Sequence, residues 1–175
     1  MDANIVLTGP MGSGKTSVGR LLARQLGYDF VDLDALIVEQ EGSSINEVFA
    51  GGGEQVFREM ETASLATLAD RRRIVLSTGG GVVLREENRI LLRMIGRVVN
   101  LTASVATLAE RLAQADDRPL LQGEESLEER LGRILQEREP FYADADIRID
   151  TTGKTLEDVA AEILRRLPVN ASGAL

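Results

Sequence analysis

Cysteine and histidine are both missing from the 175 residues. Without cysteine there is no disulfide, no thiolate metal site and no thiol nucleophile, which suits a reducing compartment. Without histidine the commonest general base and the commonest transition-metal ligand are gone. Acid–base chemistry near neutral pH then falls to carboxylates, lysine, tyrosine or water. A catalytic metal is expected to be a hard, oxygen-ligated ion such as Mg²⁺. No apolar run approaches the roughly 20 residues that span a bilayer. No signal or transit pattern precedes the first apolar stretch, Asn4-Ile5-Val6-Leu7, so the cytoplasm is the expected location. Positive charge is in deficit, with 20 Lys and Arg against 28 Asp and Glu and a net charge of −8. That balance disfavours nucleic acid and anionic membranes as partners. If the ligands are anions, the cations must gather locally in a cleft.

What is present reads as one globular domain over residues 1–168, with 169–175 as a C-terminal tail. The apolar fraction of 43% and the charged fraction of 27% are ordinary for such a domain. Short apolar runs around Ile5, Phe30, Ile74, Val98 and Ile147 alternate with segments of helical period. Helices are expected over 15–25, 35–40, 44–50, 54–70, 86–94, 104–114, 126–138 and 156–167. Ser104 is the expected N-cap of one of them. Pro140 is expected to stop the helix before it, and the glycines at 51–53 to loosen the chain between two others. Residues 115–125 are polar and contain Pro119 and Gly123, which predicts a lid-like loop. Strand–helix alternation implies an α/β three-layer sandwich with a five-stranded parallel sheet. Ligands of such sheets bind at the carboxyl ends of the strands.

The strongest local signal is Gly9-Pro10-Met11-Gly12-Ser13-Gly14-Lys15-Thr16, an ungapped G-x-x-x-x-G-K-[ST] between a strand and a helix. Glycines let successive N–H groups turn toward phosphate oxygens, and the helix N-terminus adds partial positive charge. Lys15 reaches the β/γ-phosphates and the Thr16 hydroxyl serves Mg²⁺. Gly12, Ser13, Gly14, Lys15, Thr16 and Ser17 are the candidate ATP contacts. The competing reading is a glycine-rich turn that only starts a helix.

The motif alone does not decide the reaction. A guanine-reading N-K-x-D is absent, and the D-x-x-G at Asp150-Thr151-Thr152-Gly153 lies too near the C-terminus for a γ-phosphate sensor. A motor ATPase would end a strand in a metal-binding Asp, whereas Ile74-Val75-Leu76 runs into Ser77-Thr78-Gly79-Gly80-Gly81. Asp32 and Asp34 are two apart at a strand end. On an extended backbone they face one side, where one could serve the metal shell and the other an acceptor hydroxyl. Alternatively, Asp34 caps the following helix and Asp32 is an exposed strand end.

Taken together, these residues resemble the shikimate kinases over nearly the whole chain. The resemblance is carried by the P-loop, Asp32-Leu33-Asp34, Phe57-Arg58-Glu59-Met60-Glu61, Gly79-Gly80-Gly81, and Asp117-Arg118-Pro119-Leu120-Leu121 with Arg138-Glu139-Pro140-Phe141-Tyr142. It implies a P-loop kinase fold of the nucleoside-monophosphate-kinase type and ATP-dependent phosphorylation of shikimate at its 3-hydroxyl. It implies Asp34 on the hydroxyls, Arg58 and Arg138 on the carboxylate, Gly79, Gly80 and Gly81 lining the site, Arg118 on a lid over the ATP phosphates, and Thr16 and Asp32 at Mg²⁺. Lys15, Asp34 and Arg118 would be the catalytic groups of a monomer. Arginine's planar fork suits a carboxylate better than lysine does. The family's adenine-contacting turn would fall around 151–155, whose residues depart from the pattern. Weaker alternatives stand beside this: an Arg58/Glu61 surface ion pair, Arg138 as a cation at a helix C-terminus, glycines for packing only, a kinase of another polyol such as gluconate, or a non-catalytic nucleotide-binding module.

Overall fold

The inner strands are short and apolar because both faces of the sheet are covered; every residue of β1, Asn4–Thr8, is buried. The structure is a computed structural model that describes residues 3–114 and 125–167. Most of the expected 115–125 lid, with Arg118, and the 169–175 tail lie outside the described residues. The order is β1, α1 (Lys15–Leu26), β2 (Asp29–Asp32), α2 (Leu33–Glu41), α3 (Ile45–Thr67), β3 (Ile74–Ser77), a 3-10 turn (Val82–Leu84), α4 (Glu86–Ile95), β4 (Gly96–Thr102), α5 (Val105–Gln114), α6 (Leu127–Tyr142), β5 (Ile147–Asp150) and α7 (Leu156–Arg166).

The five strands form one sheet in the order β2-β3-β1-β4-β5, all pairs parallel. Alternation along the strands divides the core into two layers. Val6, Leu76 and Val98 pack under α2, α3, α4 and α6. Ile5, Leu7, Val75, Val99, Leu101 and Ile149 pack against α1 and α7, on Val18, Leu22, Val159 and Ile163. The carboxyl ends of β1, β2 and β3 lie side by side, which brings the P-loop, Asp32 and the glycine triplet to one edge.

One expected helix boundary is corrected. Pro140 does not stop α6, which runs on to Tyr142. A proline lacks only its own N–H, and the helix resumes its ladder with Ala143 N donating to Glu139 O at 2.9 Å. The break expected between 44–50 and 54–70 is present: α3 is two helical pieces that meet in a kink at Gly53, whose φ of 72° and ψ of −174° are non-helical. A capping box starts it: Glu47 N donates to Ser44 Oγ and Ser44 N to Glu47 Oε2. Ser104 caps α5 as expected, its Oγ accepting from Thr107 N at 3.2 Å.

The kink yields a prediction with opposite signs at neighbouring positions. A methyl group on Gly51 meets nothing within 4 Å, while Gly53 holds a left-handed φ. Gly51→Ala is expected to stabilise the chain by about 0.5–1 kcal/mol, and Gly53→Ala to destabilise it. Urea unfolding midpoints of the two variants check this.

Candidate active site

The P-loop curls because three of its glycines take positive φ, and Gly14, with φ 92°, is the residue from which α1 starts. Gly9 is held to glycine for a second reason: a methyl group there would run into the Leu101 carbonyl. Ser13 N and Oγ both bond Pro10 O, at 3.2 and 2.7 Å, which tightens the loop. Lys15 is buried, and its Nζ donates to Gly9 O and Pro10 O at 2.8 and 2.9 Å. The ammonium thus lies across the loop's own concavity. Thr16 and Ser17 are exposed on the first turn of α1.

Asp32 ends β2 as expected, but it is Asp32 and not Asp34 that caps the next helix. Asp32 is the N-cap of α2, with Oδ1 accepting from Ala35 N at 3.1 Å, and Asp34 sits inside the first helical turn. The extended-strand geometry expected to align them is therefore not what brings them to the cleft. α2 begins at Leu33, and Asp34 is directed by the helix.

The glycine triplet is the meeting point of the remaining residues. A methyl group on Gly79 would stand 3.4 Å from both Asp34 Oδ1 and Glu61 Oε1. On Gly80 it would stand 3.4 Å from Arg138 Nη1 and 3.5 Å from Met11 N of the P-loop. On Gly81 it would overlap the Arg58 guanidinium, 2.6 Å from Cζ. Asp34, Arg58 and Arg138, from three helices, are thus gathered about one turn that also abuts the phosphate loop. That turn is braced from behind. Asn88 Nδ2 donates to Val82 O at 3.1 Å, and Arg89 Nη1 donates to Val83 O at 2.7 Å while its guanidinium stacks 4.8 Å from the Phe141 ring.

Arg58 and Glu61 are not the surface pair that their spacing allowed. Arg58 Nη1 lies 2.5 Å from Glu61 Oε2, and the Glu61 side chain is fully buried. Burial raises the Glu61 pKa, against the lowering effect of the Arg58 hydrogen bond and charge; Asp34 nearby raises it further and Arg85 lowers it. A carboxyl group with its folded pKa above the unfolded one takes up its proton earlier in the folded state. It therefore adds stability as pH falls through the folded value, and costs stability above it. The melting temperature of Glu61→Gln minus that of the parent should accordingly fall as pH is lowered from 7 toward 5. A difference independent of pH would contradict the assignment.

Arg138 is interior to α6 rather than at its C-terminus, so placement by the helix dipole does not explain it. On the opposite flank of the P-loop lies a cavity of about 460 Å³, lined by Gly12, Gly14, Ser17, Arg111, Lys154 and Thr155 among others. Arg111 ties it together, with Nη1 3.2 Å from Gly12 O and 3.0 Å from Thr151 Oγ1, and Nη2 3.1 Å from Thr151 O. The D-x-x-G forms a turn beside it, in which Thr152 N donates to Asp150 Oδ1 at 2.9 Å.

The shikimate kinase family model matches residues 11–168. The chain belongs to the shikimate kinase family. A shikimate kinase of Geobacter metallireducens is 58% identical over 160 residues, 91% of this chain and 89% of that protein. Among solved structures, shikimate kinase from Acinetobacter baumannii in complex with shikimate superposes with a TM-score of 0.86 at 40% identity, over 95% of this chain and 96% of that one. The Aquifex aeolicus shikimate kinase gives 0.82 at 36% identity, over 98% and 99%. The five-stranded parallel sheet and its covering helices are therefore those of this family's P-loop kinase fold.

Three residues at the site escaped the sequence reading. Glu61 was visible only as the partner of Arg58, and burial is what gives it weight. Arg111 carried no motif, since its place beside the P-loop depends on the packing of α5. Tyr142 stood in the string with Arg138, one helical turn on, but Pro140 had closed the expected helix before it.

Proposed function

We propose that this chain transfers the γ-phosphoryl group of ATP to the 3-hydroxyl of shikimate, giving ADP and shikimate 3-phosphate. Family membership supports the reaction. The single structural observation that carries the residue assignment is the convergence of Asp34, Arg58 and Arg138 on Gly79, Gly80 and Gly81, beside the P-loop.

In this reading the nucleotide lies along the P-loop, with its base in the cavity between Arg111 and the 151–155 turn. The amides from Gly12 to Ser17 and the Lys15 ammonium hold the phosphates. Arg58 and Arg138 bind the substrate carboxylate through bidentate donors. Asp34 accepts from the 3-hydroxyl and aims its oxygen at the γ-phosphorus. As the new oxygen–phosphorus bond forms, the bond to the β-phosphate oxygen breaks, and the hydroxyl proton passes to Asp34 and then to water. Charge developing on the transferred group is met by groups already in place, chiefly Lys15 and the loop amides. Arg118, assigned from its motif, joins them when the nucleotide is bound.

Thr16 and Asp32 would hold Mg²⁺. The donors fit such an ion: a hydroxyl and a carboxylate, both hard oxygen groups, with Asp32 Oδ1 already anchored on Ala35 N. Among the described residues no group of three or more His, Cys, Asp or Glu side chains could hold a metal by itself. When bound, the ion would supply neutralising charge to the phosphates. A monomer located in the cytoplasm is the proposed state. Among the described residues no helix is long and apolar enough to cross a membrane.

Acceptor profiling tests the assignment. ADP release with purified protein should depend strongly on shikimate and respond little to gluconate. Gluconate dependence, or turnover indifferent to any acceptor, would overturn it.

A further inference from the structure

One buried polar group at the site has no part in the proposed chemistry: the phenol of Tyr142, which is 2% exposed at the end of α6. Its hydroxyl donates to Gly80 O at 2.6 Å. A phenol has one hydrogen to give and keeps acceptor capacity on its oxygen. Arg138, one helical turn earlier, faces that oxygen; its hydrogen bonding and charge oppose the upward push of burial on the phenol. Burial prevails, so the hydroxyl keeps its proton at neutral pH and can donate to Gly80 while accepting from Arg138. A methyl group placed on the same Gly80 would stand 3.4 Å from Arg138 Nη1, so both side chains border this one residue. Between the two side chains stands Pro140, which gives no N–H to the ladder at this turn. The turn that orients Arg138 therefore gains its anchor from a side chain.

We propose that Tyr142 is a positioning residue for Arg138, its hydroxyl pinning the guanidinium to the Gly80 carbonyl so that the fork is pre-set for a substrate carboxylate. A guanidinium on a long flexible stem loses little freedom on binding when it is already held. The inference rests on the reading of Arg138 given under Proposed function. It separates Tyr142 from an ordinary core aromatic, whose hydroxyl would matter only to stability.

Tyr142→Phe removes the hydroxyl alone. Calorimetry on the full chain should show the shikimate Kd raised about ten-fold, with kcat and the KM for ATP within about two-fold of the parent. Against shikimate methyl ester, which lacks the charge, parent and variant should bind alike. In an Arg138→Gln background the further change Tyr142→Phe should leave the shikimate Kd where it is. An unchanged shikimate Kd, or equal weakening toward acid and ester, overturns the proposal. Should Tyr142→Phe not fold, the chain's two tyrosines allow a reading without it. With tyrosine labelled at the ring carbon bearing oxygen, Arg138→Gln should shift the Tyr142 resonance and leave that of Tyr28; an unmoved Tyr142 signal overturns the proposal. Absence of shikimate binding by the parent would instead strike the functional reading, while the resonance shift would still test the pairing.

Discussion

Replacing Lys15 by alanine lowers kcat by about 10³-fold, the scale expected for removing one pre-organised charged donor from a transition state. The ammonium lies buried over the Gly9 and Pro10 carbonyls, so it meets the phosphates without first being gathered from solvent. Shikimate affinity measured without nucleotide should change by no more than about two-fold, because the carboxylate arginines sit across the glycine turn. Lys15→Arg should recover little. A guanidinium is larger and planar, and the concavity is shaped by backbone that cannot give way. Steady-state kinetics with shikimate saturating, paired with calorimetry, separates the two effects. A Lys15→Ala variant retaining a tenth or more of parental kcat would contradict the placement of the γ-phosphate.

Arg58→Ala is expected to raise the KM for shikimate about 10²-fold, as loss of one partner of a buried charged hydrogen-bond pair does. It also leaves the Glu61 carboxylate buried without its cation, which costs about 3 kcal/mol of stability. The two consequences can be parted. Glu61→Gln added to Arg58→Ala removes the stranded charge and should return most of the melting temperature, while the KM for shikimate stays high. Recovery of both together would mean that Arg58 acts only by holding α3 in place. Thermal melts and KM values on the single and double variants decide it.

Whether a feature was legible in the sequence depended on whether its cause was local. The P-loop is local: strand, positive-φ glycines and helix start are consecutive, and the motif sits where the structure places it. Strand alternation likewise implied a parallel sheet, although the order β2-β3-β1-β4-β5 is a property of crossovers that no run of residues displays. Pro140 misled. It is a breaker on intrinsic preference, yet packing of α6 against the sheet and the site carries the helix past it, whereas Gly53 does interrupt α3, as the glycines at 51–53 led one to expect. Asp32 and Asp34 were singled out together, but the helix after β2 starts at Leu33, two residues sooner than expected, so Asp32 rather than Asp34 caps it. Arg111 and Glu61 owe their importance to long-range proximity: Arg111 bridges to Gly12 and Thr151, and Glu61 is enclosed with Arg58 and Asp34. Only the three-residue spacing of Arg58 and Glu61 has a short-range signature; the burial of Glu61 beside Asp34 and the Arg111 bridge have none.

The central claim is that one cleft holds the terminal phosphate of a nucleotide against the 3-hydroxyl of a carboxylated ring. Phosphorus NMR of the full chain turning over ATP, Mg²⁺ and shikimate tests it most directly. The account predicts a new phosphomonoester signal, coupled to the proton on ring carbon 3, growing in step with ADP. ADP accompanied only by inorganic phosphate, or a phosphate placed on another hydroxyl, would contradict it.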